Sequence, residues 1–295
     1  MTSETGNARA AEMTSDTMTS GRRNGASPGA GWGVVLLAHG SQRGNHTIDG
    51  LRDMVRRLQS HLGEDNAKVR MACMEFIQPD LPKAVAGLVA DGCTDITVMP
   101  FLLGQGTHST EDLAEGMERS LEADPHIRIK ATAVFGADPA LVEIVRQRVQ
   151  AQVSQRNGSA GSITTGTTDA PMGVMLVKAG TRSQAEDHLW LYEMGRMLEE
   201  QLGAGFAVAV AQSHFGPPTM EEAAADLVER QGAASVTCVP YIFFPGLILT
   251  RNIIGGVKTL ERKYPGVGFA VTPTLGVDDG LVELTAQRIL DAAYD

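Results

Sequence analysis

The sequence lacks an excess of basic residues, and this absence limits the kinds of partner that it can bind. It contains 25 Lys and Arg residues against 35 Asp and Glu residues, which gives a formal net charge of −10. Binding to nucleic acid requires a basic surface that neutralises phosphates. A nucleic-acid partner is therefore not expected, whereas an anionic small molecule could bind at a local cluster of basic side chains.

Cysteine is also scarce. The three residues Cys73, Cys93 and Cys238 show no C-x-x-C spacing, and each lies in or beside an apolar run. An iron–sulfur cluster needs about four thiolates, so this cofactor class is excluded. We expect the cysteines to be small buried side chains in a reducing compartment.

Long hydrophobic runs are absent as well. No apolar stretch approaches the roughly 20 residues of a membrane-spanning helix, so no membrane partner is expected. Residues 1–31 are rich in Ser, Thr, Gly and Ala and contain no continuous apolar region like that of a secretory signal. We expect this segment to be a disordered leader, or the result of a start codon assigned too early, and the protein to be cytoplasmic.

What the sequence does contain is an internal repeat. The segment GVVLLAHGS at 33–41 recurs as GVMLVKAGT at 173–181, and the segment at 136–143 recurs at 276–283. The offset is 140 residues at both ends of the copy and 139 in its middle. We therefore predict two tandem domains, at 32–155 and 172–295, joined by a Gly-, Ser- and Thr-rich linker at 156–171.

Each copy alternates apolar runs with amphipathic segments. In the first copy, strands are predicted at Val34–Ala38, Val69–Met74, Ile96–Met99 and Ile127–Val134. Helices are predicted at about 46–62, at 79–89, from a capping segment at 109–112 and from Asp138. The predicted fold class is α/β, with two tandem copies of a four-stranded, mostly parallel sheet flanked by helices in a doubly wound arrangement.

Three polar side chains are predicted to meet at the carboxyl edge of the first sheet. His39 follows the first strand, Glu75 follows the second, and His108 lies in the loop after the third. Ligands bind at this edge in open α/β sheets, and two imidazoles with a carboxylate suit a divalent first-row metal ion. A lone histidine after a strand is most often a surface or hydrogen-bonding group, so the functional interpretation depends on the three residues meeting at one edge. The remaining histidines of the first copy and the helix-flanking one of the second are expected to face solvent: His46, His61, His126 and His188.

These residues lie in motifs that resemble the sirohydrochlorin chelatase family, which is allied to the type II chelatases. The motifs are LLAHGSQR at 36–43, MEFIQP at 74–79 and PFLLGQGTHSTEDL at 100–113, in the family's order and spacing. One departure is the Gly-Gln-Gly-Thr sequence before His108, where the family usually has paired glycines nearer the histidine. The resemblance covers residues 33–155 well and residues 172–293 more weakly.

The resemblance implies a lyase that inserts Co²⁺ or Fe²⁺ into sirohydrochlorin without ATP, in cobalamin or siroheme biosynthesis. It implies that His39 and His108 hold the metal ion, which is a substrate and not a permanently bound cofactor. Glu75 would accept the pyrrole protons, and Ser41 and Arg43 would contact the tetrapyrrole. The two-copy chain resembles long cobaltochelatases, which favours cobalt as the native metal, although iron is an open alternative. The duplication suggests a monomer with two pseudo-symmetric halves.

The second copy lacks the candidate metal ligands. Ala179 stands at the position of His39, Ile248 stands at that of His108, and His214 replaces Glu75. An equivalent metal site is therefore not expected there. His214 is expected to face the shared cleft or the surface.

The second copy instead carries basic residues at the predicted rim. Lys178, Arg182 and Arg251 stand where the first copy has uncharged or acidic residues. These side chains could pair with the carboxylates of sirohydrochlorin, or they could be ordinary solvated charges. The first interpretation gives a division of labour, in which the first copy handles the metal and the second orients the substrate.

Three other functions compete with the chelatase. A histidine phosphatase needs an Arg directly before its catalytic His, and Ala38 occupies that place. A metallochaperone that delivers Co²⁺ or Ni²⁺ from His39 and His108 stays open, as does a regulatory protein without activity.

Overall fold

The computed structural model describes residues 31–41, 45–104, 106–159, 170–181 and 188–294. Within these ranges, the side chains at 45–46, 107–109 and 156–159 are not described. Apart from Gly31, the expected leader at 1–31 lies outside the described residues.

Each half contains a four-stranded sheet in which all neighbouring strands pair in parallel. The first sheet has the order β2–β1–β3–β4, with β1 at Trp32–Ala38, β2 at Lys68–Cys73, β3 at Asp95–Pro100 and β4 at Arg128–Ala131. The second has the order β6–β5–β7–β8, with β5 at Met172–Lys178, β6 at Phe206–Gln212, β7 at Ser235–Tyr241 and β8 at Gly268–Val271. The predicted pair of tandem α/β units is confirmed.

Helices cover the sheets in both halves. The first half has α1 (Asn45–Leu62), α2 (Leu81–Ala90), α3 (Thr107–Ala123) and α4 (Pro139–Ser159). The second half has α5 (Leu189–Leu202), α6 (Met220–Ala225), α7 (Ile254–Lys263) and α8 (Asp279–Tyr294). Helix α6 continues as a π-helical segment at Asp226–Arg230, and a second π-helical segment at Ile248–Ile253 leads into α7.

The apolar patterns explain why these elements form. Strand β1 is buried along its whole length, as expected for a parallel strand with helices on both faces. Helix α1 buries Leu51, Met54 and Leu58, which recur every three or four residues and so share one face. The equivalent residues of α5 are buried in the same way: Leu191, Met194 and Leu198.

Several predicted boundaries are wrong by a few residues. Pro100 is the last residue of β3 and pairs with Leu37, although the strand was expected to end at Met99. Strand β4 ends at Ala131, three residues before the predicted end. Helix α4 continues to Ser159, so the connector that was expected from 156 begins later.

One hydrophobic core extends through both halves. Val34 and Leu36 of β1 belong to the same buried cluster as Val174 and Leu176 of β5. Helix α4 packs against α5 and α8, and α1 packs against α8. The two copies therefore form a single packed body.

The contacts between the halves are related by a pseudo-twofold axis. Gly50 lies against the ring of Phe244, and Gly104 lies against the ring of Trp190. Gly50 and Trp190 occupy equivalent positions in the two copies, 140 residues apart, and so do Gly104 and Phe244. Both glycines of these paired contacts thus belong to the first half, and both rings belong to the second.

All three cysteines are buried and free, as predicted. Burial raises the pKa of the Cys73 and Cys93 thiols, and it raises the pKa of Cys238 to about 12. Since the thiolate is the reactive form, these side chains act as packing groups.

Among the helices that the structure describes, none combines the length and the apolar character needed to cross a membrane.

Candidate functional site

Two of the predicted site residues lie side by side at the carboxyl edge of the first sheet. Ala38 and Cys73 are paired at the ends of β1 and β2. Beyond them, the Met74 N–H donates to the Ala38 carbonyl and the Glu75 N–H donates to the His39 carbonyl, both at 2.9 Å. Both His39 and Glu75 are exposed. The predicted proximity of these two residues follows from the strand register.

Gly40 allows this close approach. Its φ is +95°, and a Cβ at this position would overlap the carbonyl oxygen of Glu75. Only glycine combines this backbone conformation with the missing side chain. The Gly after His39 therefore brings the two segments together.

A tight turn fixes the backbone on the other side of Glu75. The Ile77 N–H donates to the Glu75 carbonyl at 2.7 Å, which closes a three-residue turn centred on Phe76 at φ +64°. Three-residue turns of this hand are rare and strained. Phe76 is left 56% exposed beside Glu75. Phe76 could not be predicted as a site residue, because a left-handed backbone at a bulky residue leaves no signal in the local sequence pattern.

His108 was expected to lie in a loop, and this prediction is wrong. It is the second residue of α3, and the helix begins early because the Thr110 N–H donates to the Gly106 carbonyl at 3.2 Å. The predicted capping segment at 109–112 therefore falls inside the helix. The side chain of His108 lies outside the described residues.

The described part of the chain contains no group of three His, Cys, Asp or Glu side chains that could hold a metal ion. The His108 imidazole is not among the described side chains. The pairing of His39 and His108 as metal ligands therefore stays a prediction.

The candidate substrate contacts of the first half are partly described. Ser41 follows Gly40 at the same edge and is partly exposed. Arg43 lies outside the described residues. In the second half, Arg182 likewise lies outside them, whereas Arg251 is exposed in the π-helical segment before α7.

Lys178 was expected at the exposed rim of the second half, but its side chain is buried. It is only 6% exposed at the end of β5, and its ammonium lies 5.8 Å from the ring centroid of Trp190. A cation at that distance is attracted by the indole face. The expected contact between Lys178 and a carboxylate of the substrate has little exposed surface to support it.

The second half keeps the backbone of the candidate site but not the candidate metal ligands. The Ser213 N–H donates to the Lys178 carbonyl at 2.9 Å, and a Cβ at Gly180 would overlap the carbonyl oxygen of His214. His214 therefore occupies the place of Glu75, with its Nδ1 2.7 Å from the Ser213 hydroxyl. Phe215, at φ +74° and 54% exposed, repeats the geometry of Phe76.

His188 was expected to face solvent, and this prediction is wrong. It is partly buried, and its Nε2 lies 3.1 Å from the Nε2 of the buried residue Gln212. The Gln212 amide also accepts from the Thr181 N–H at 3.1 Å and donates to the Pro217 carbonyl at 2.7 Å. Because an amide nitrogen only donates, a neutral His188 would carry its proton on Nδ1. In the repeat, His188 and Gln212 stand at the positions of the apolar residues Ile48 and Cys73 of the first half.

Comparison with known proteins identifies the repeat. A family model described as CbiX matches residues 33–152 and again residues 173–292. A sirohydrochlorin ferrochelatase of Priestia megaterium is 23% identical over 258 residues, which cover 87% of this chain and 88% of the relative. A sirohydrochlorin cobaltochelatase of the same organism is 24% identical over 262 residues, covering 86% and 78%. A sirohydrochlorin cobaltochelatase of Methanothermobacter thermautotrophicus is 30% identical over 138 residues, which are 41% of this chain and 92% of the relative.

Solved structures share the two-half fold. SirB from Bacillus subtilis with Fe³⁺ superimposes with a TM-score of 0.70 at 19% identity, over 89% of this chain and 95% of that one. A sirohydrochlorin chelatase SirB from Bacillus subtilis subspecies spizizenii, in complex with cobalt, gives a TM-score of 0.68 at 18% identity with the same coverage.

Proposed function

The chain belongs to the CbiX family in both of its halves, and on this premise we propose that it inserts Co²⁺ or Fe²⁺ into sirohydrochlorin. The observation that carries the proposal is the adjacency of His39 and Glu75 at the carboxyl edge of the first sheet, joined by a backbone hydrogen bond. The second half repeats this backbone with Ala179 and His214. The chemistry is therefore assigned to the first half.

The reaction exchanges two protons for one metal ion. His39 and His108 hold the divalent ion through neutral imidazole nitrogens and leave other coordination positions open for the tetrapyrrole. Two pyrrole N–H bonds break as the ion exchanges its bonds to the imidazoles for bonds to the four ring nitrogens. Glu75 accepts the two protons in turn and passes them to water. The metal leaves with the product, so it is a substrate, and no ATP is consumed.

The second half is proposed to orient the anionic macrocycle. Arg251 is exposed at the rim of the second half, and Arg182 directly follows its VKAGT motif in the sequence. Arg43 follows the corresponding LLAHGSQ motif of the first half. Guanidinium groups suit this role because they bind carboxylates through two parallel hydrogen bonds. The exposed rings of Phe76 and Phe215 offer apolar faces to a planar ligand. The enzyme is proposed to act as a cytoplasmic monomer, since its second half takes the place of a partner subunit.

The decisive experiment is anaerobic metallation of sirohydrochlorin with Co²⁺ or Fe²⁺, followed by visible absorption. His39→Ala and His108→Ala are expected to abolish the acceleration that the wild-type protein gives, because each removes a metal ligand. Glu75→Gln is expected to slow metallation roughly hundredfold, as loss of a general base does.

The matched control is His214→Gln at the equivalent position of the second half, which should leave the rate close to that of the wild type. A wild-type protein that binds the ion but does not accelerate metallation would contradict the chelatase and favour a metal carrier. The metal that is inserted faster indicates which pathway the enzyme serves.

The role of the second half predicts an effect on substrate binding. Arg251→Glu is expected to raise the KM for sirohydrochlorin about tenfold with a much smaller change in kcat, because it replaces a charge-assisted hydrogen bond by repulsion. Arg262→Glu, an exposed charge reversal on α7, serves as the control. Equal KM values in the two variants would remove Arg251 from the substrate site.

A further inference from the structure

The loop that leads to His108 is held by a neighbouring segment of the first half. Beyond β4, the Phe135 N–H donates to the Leu102 carbonyl at 3.1 Å and the Gly136 N–H donates to the Leu103 carbonyl at 2.9 Å. Residues 134–138, here called the bracing segment, thus fix the backbone that runs from β3 towards α3. His108 lies five residues beyond Leu103.

A side chain from the second half holds the bracing segment. Arg288 of α8 donates to the carbonyls of Val134 and Phe135, the latter at 2.8 Å, and to the Asp138 carboxylate at 2.7 Å. Its guanidinium carbon lies 5.4 Å from the ring centroid of Phe135. The Arg288 and Asp138 side chains are only 22% and 15% exposed. One planar guanidinium therefore joins three acceptors on the same short segment, with a rigid fork of donors that the flexible ammonium group of lysine lacks.

We propose that Arg288 is a positioning residue for metal binding, acting through the bracing segment on the loop that presents His108. The second half then takes part in holding the metal without supplying a ligand. This inference rests on the proposed function, because it takes His108 as a metal ligand. Partners that orient a metal ligand without touching the metal commonly change metal affinity tenfold or more.

The duplication supplies a matched control within the same molecule. Arg148 of α4 is the equivalent of Arg288; it donates to the Leu275 carbonyl at 2.6 Å and lies 3.6 Å from the Asp278 carboxylate. The Leu275 N–H in turn donates to the Ile242 carbonyl at 3.0 Å. The arrangement repeats that of the first half with fewer hydrogen bonds, since among the described residues Arg148 has one where Arg288 has three. This loop leads to Ile248, which cannot bind a metal.

The two arginines therefore separate stabilisation from positioning. Both are 22% exposed and both join the halves, so a purely structural role predicts that substitution of either lowers stability without changing metal affinity. A positioning role predicts that only Arg288 affects the metal.

The experiment titrates Co²⁺ anaerobically into the full-length wild type, Arg288→Met and Arg148→Met, and follows the visible absorption of bound cobalt. Thermal unfolding is measured on the same samples. We expect both variants to be destabilised, Arg288→Met more strongly because it loses more hydrogen bonds. The Co²⁺ dissociation constant is expected to rise roughly tenfold in Arg288→Met alone. In a His108→Ala background, Arg288→Met should cause no further loss of affinity, because the two residues act through one ligand.

Equal Co²⁺ affinities for Arg288→Met and Arg148→Met, with normal binding by the wild type, overturn the inference and leave the proposed function standing. If the wild type itself binds no Co²⁺, the proposed function fails, and the inference fails with it. Should either methionine variant not fold, Arg288→Lys and Arg148→Lys replace the pair. The lysine at 288 should weaken Co²⁺ binding and the lysine at 148 should not, and equal affinities again overturn the proposal.

Discussion

Gly40→Ala is expected to remove most of the metallation activity, whereas Gly180→Ala is expected to leave it largely intact. The two glycines are equivalent, and each faces a carbonyl oxygen that a Cβ would overlap. At Gly40 this oxygen belongs to Glu75, the proposed base, and at Gly180 it belongs to His214. The same steric conflict therefore displaces a catalytic group in one half only.

The expected loss at Gly40 is about hundredfold in rate, because a misplacement of about 1 Å can cost a reaction that much. The Glu75 carbonyl also accepts the Ile77 N–H, so moving it disturbs the turn that aims the carboxylate. Gly40→Ala should destabilise the protein by roughly 1–3 kcal/mol, the usual range for local backbone strain, because its φ is +95°. Gly180→Ala carries only the overlap with the His214 carbonyl oxygen. The assay compares initial metallation rates with thermal unfolding of the same samples. A Gly40→Ala enzyme that works at the wild-type rate would show that the position of Glu75 does not limit the reaction.

The repeat made the fold readable from the sequence. Segments 33–41 and 173–181 keep their register, and buried parallel strands were expected where the apolar runs stand. The adjacency of His39 and Glu75 was also predictable, since parallel strands deliver their carboxyl ends to one edge. Strand pairing then placed both residues as the topology requires.

Element boundaries were less predictable because hydrogen bonds outside the local pattern decide them. His108 belongs to α3 because a bond from Thr110 to the Gly106 carbonyl closes the first turn, ahead of the capping sequence. Strand β4 ends at Ala131, and the amides of Phe135 and Gly136 bind the β3–α3 loop instead. Neither outcome follows from the spacing of apolar residues.

Contacts between neighbouring elements within the second half could not be predicted from the sequence pattern either. His188 follows a polar stretch and was assigned to the surface, but Gln212 of a neighbouring strand draws it inward. The repeat predicted Lys178 at the exposed rim of the second sheet. In the structure the side chain is buried and lies over the ring of Trp190. Tertiary neighbours decide the exposure of such side chains, and a single sequence does not name them.

The two halves are expected to associate with each other as a heterodimer and not to form stable homodimers. Residues 1–159 and 170–295, produced together as separate chains, should assemble into a one-to-one complex. Residues 1–159 alone should not form a stable homodimer. The reason lies in the two paired contacts between the halves, where both rings, Trp190 and Phe244, come from the second half.

In a homodimer of first halves, Gly50 would face Gly104 at both contacts, leaving two holes where the rings had been. Loss of a large aromatic side chain from a packed site costs about 3–5 kcal/mol, and here the loss would occur twice. In a homodimer of second halves, Trp190 and Phe244 would compete for the same space. The Arg148 and Arg288 contacts have counterparts in both copies, so they would survive in either homodimer and cannot select the partner.

A single substitution tests this reasoning. Gly50→Trp in the isolated first half places a tryptophan opposite Gly104 at both contacts, which reproduces the natural Trp190–Gly104 packing twice. This variant is expected to form a homodimer in sedimentation or native mass spectrometry where the unaltered fragment stays monomeric or aggregates. Stable dimers of the unaltered fragment would instead mean that the arginine contacts and the shared core suffice. The rings of Trp190 and Phe244 would then not determine which halves associate.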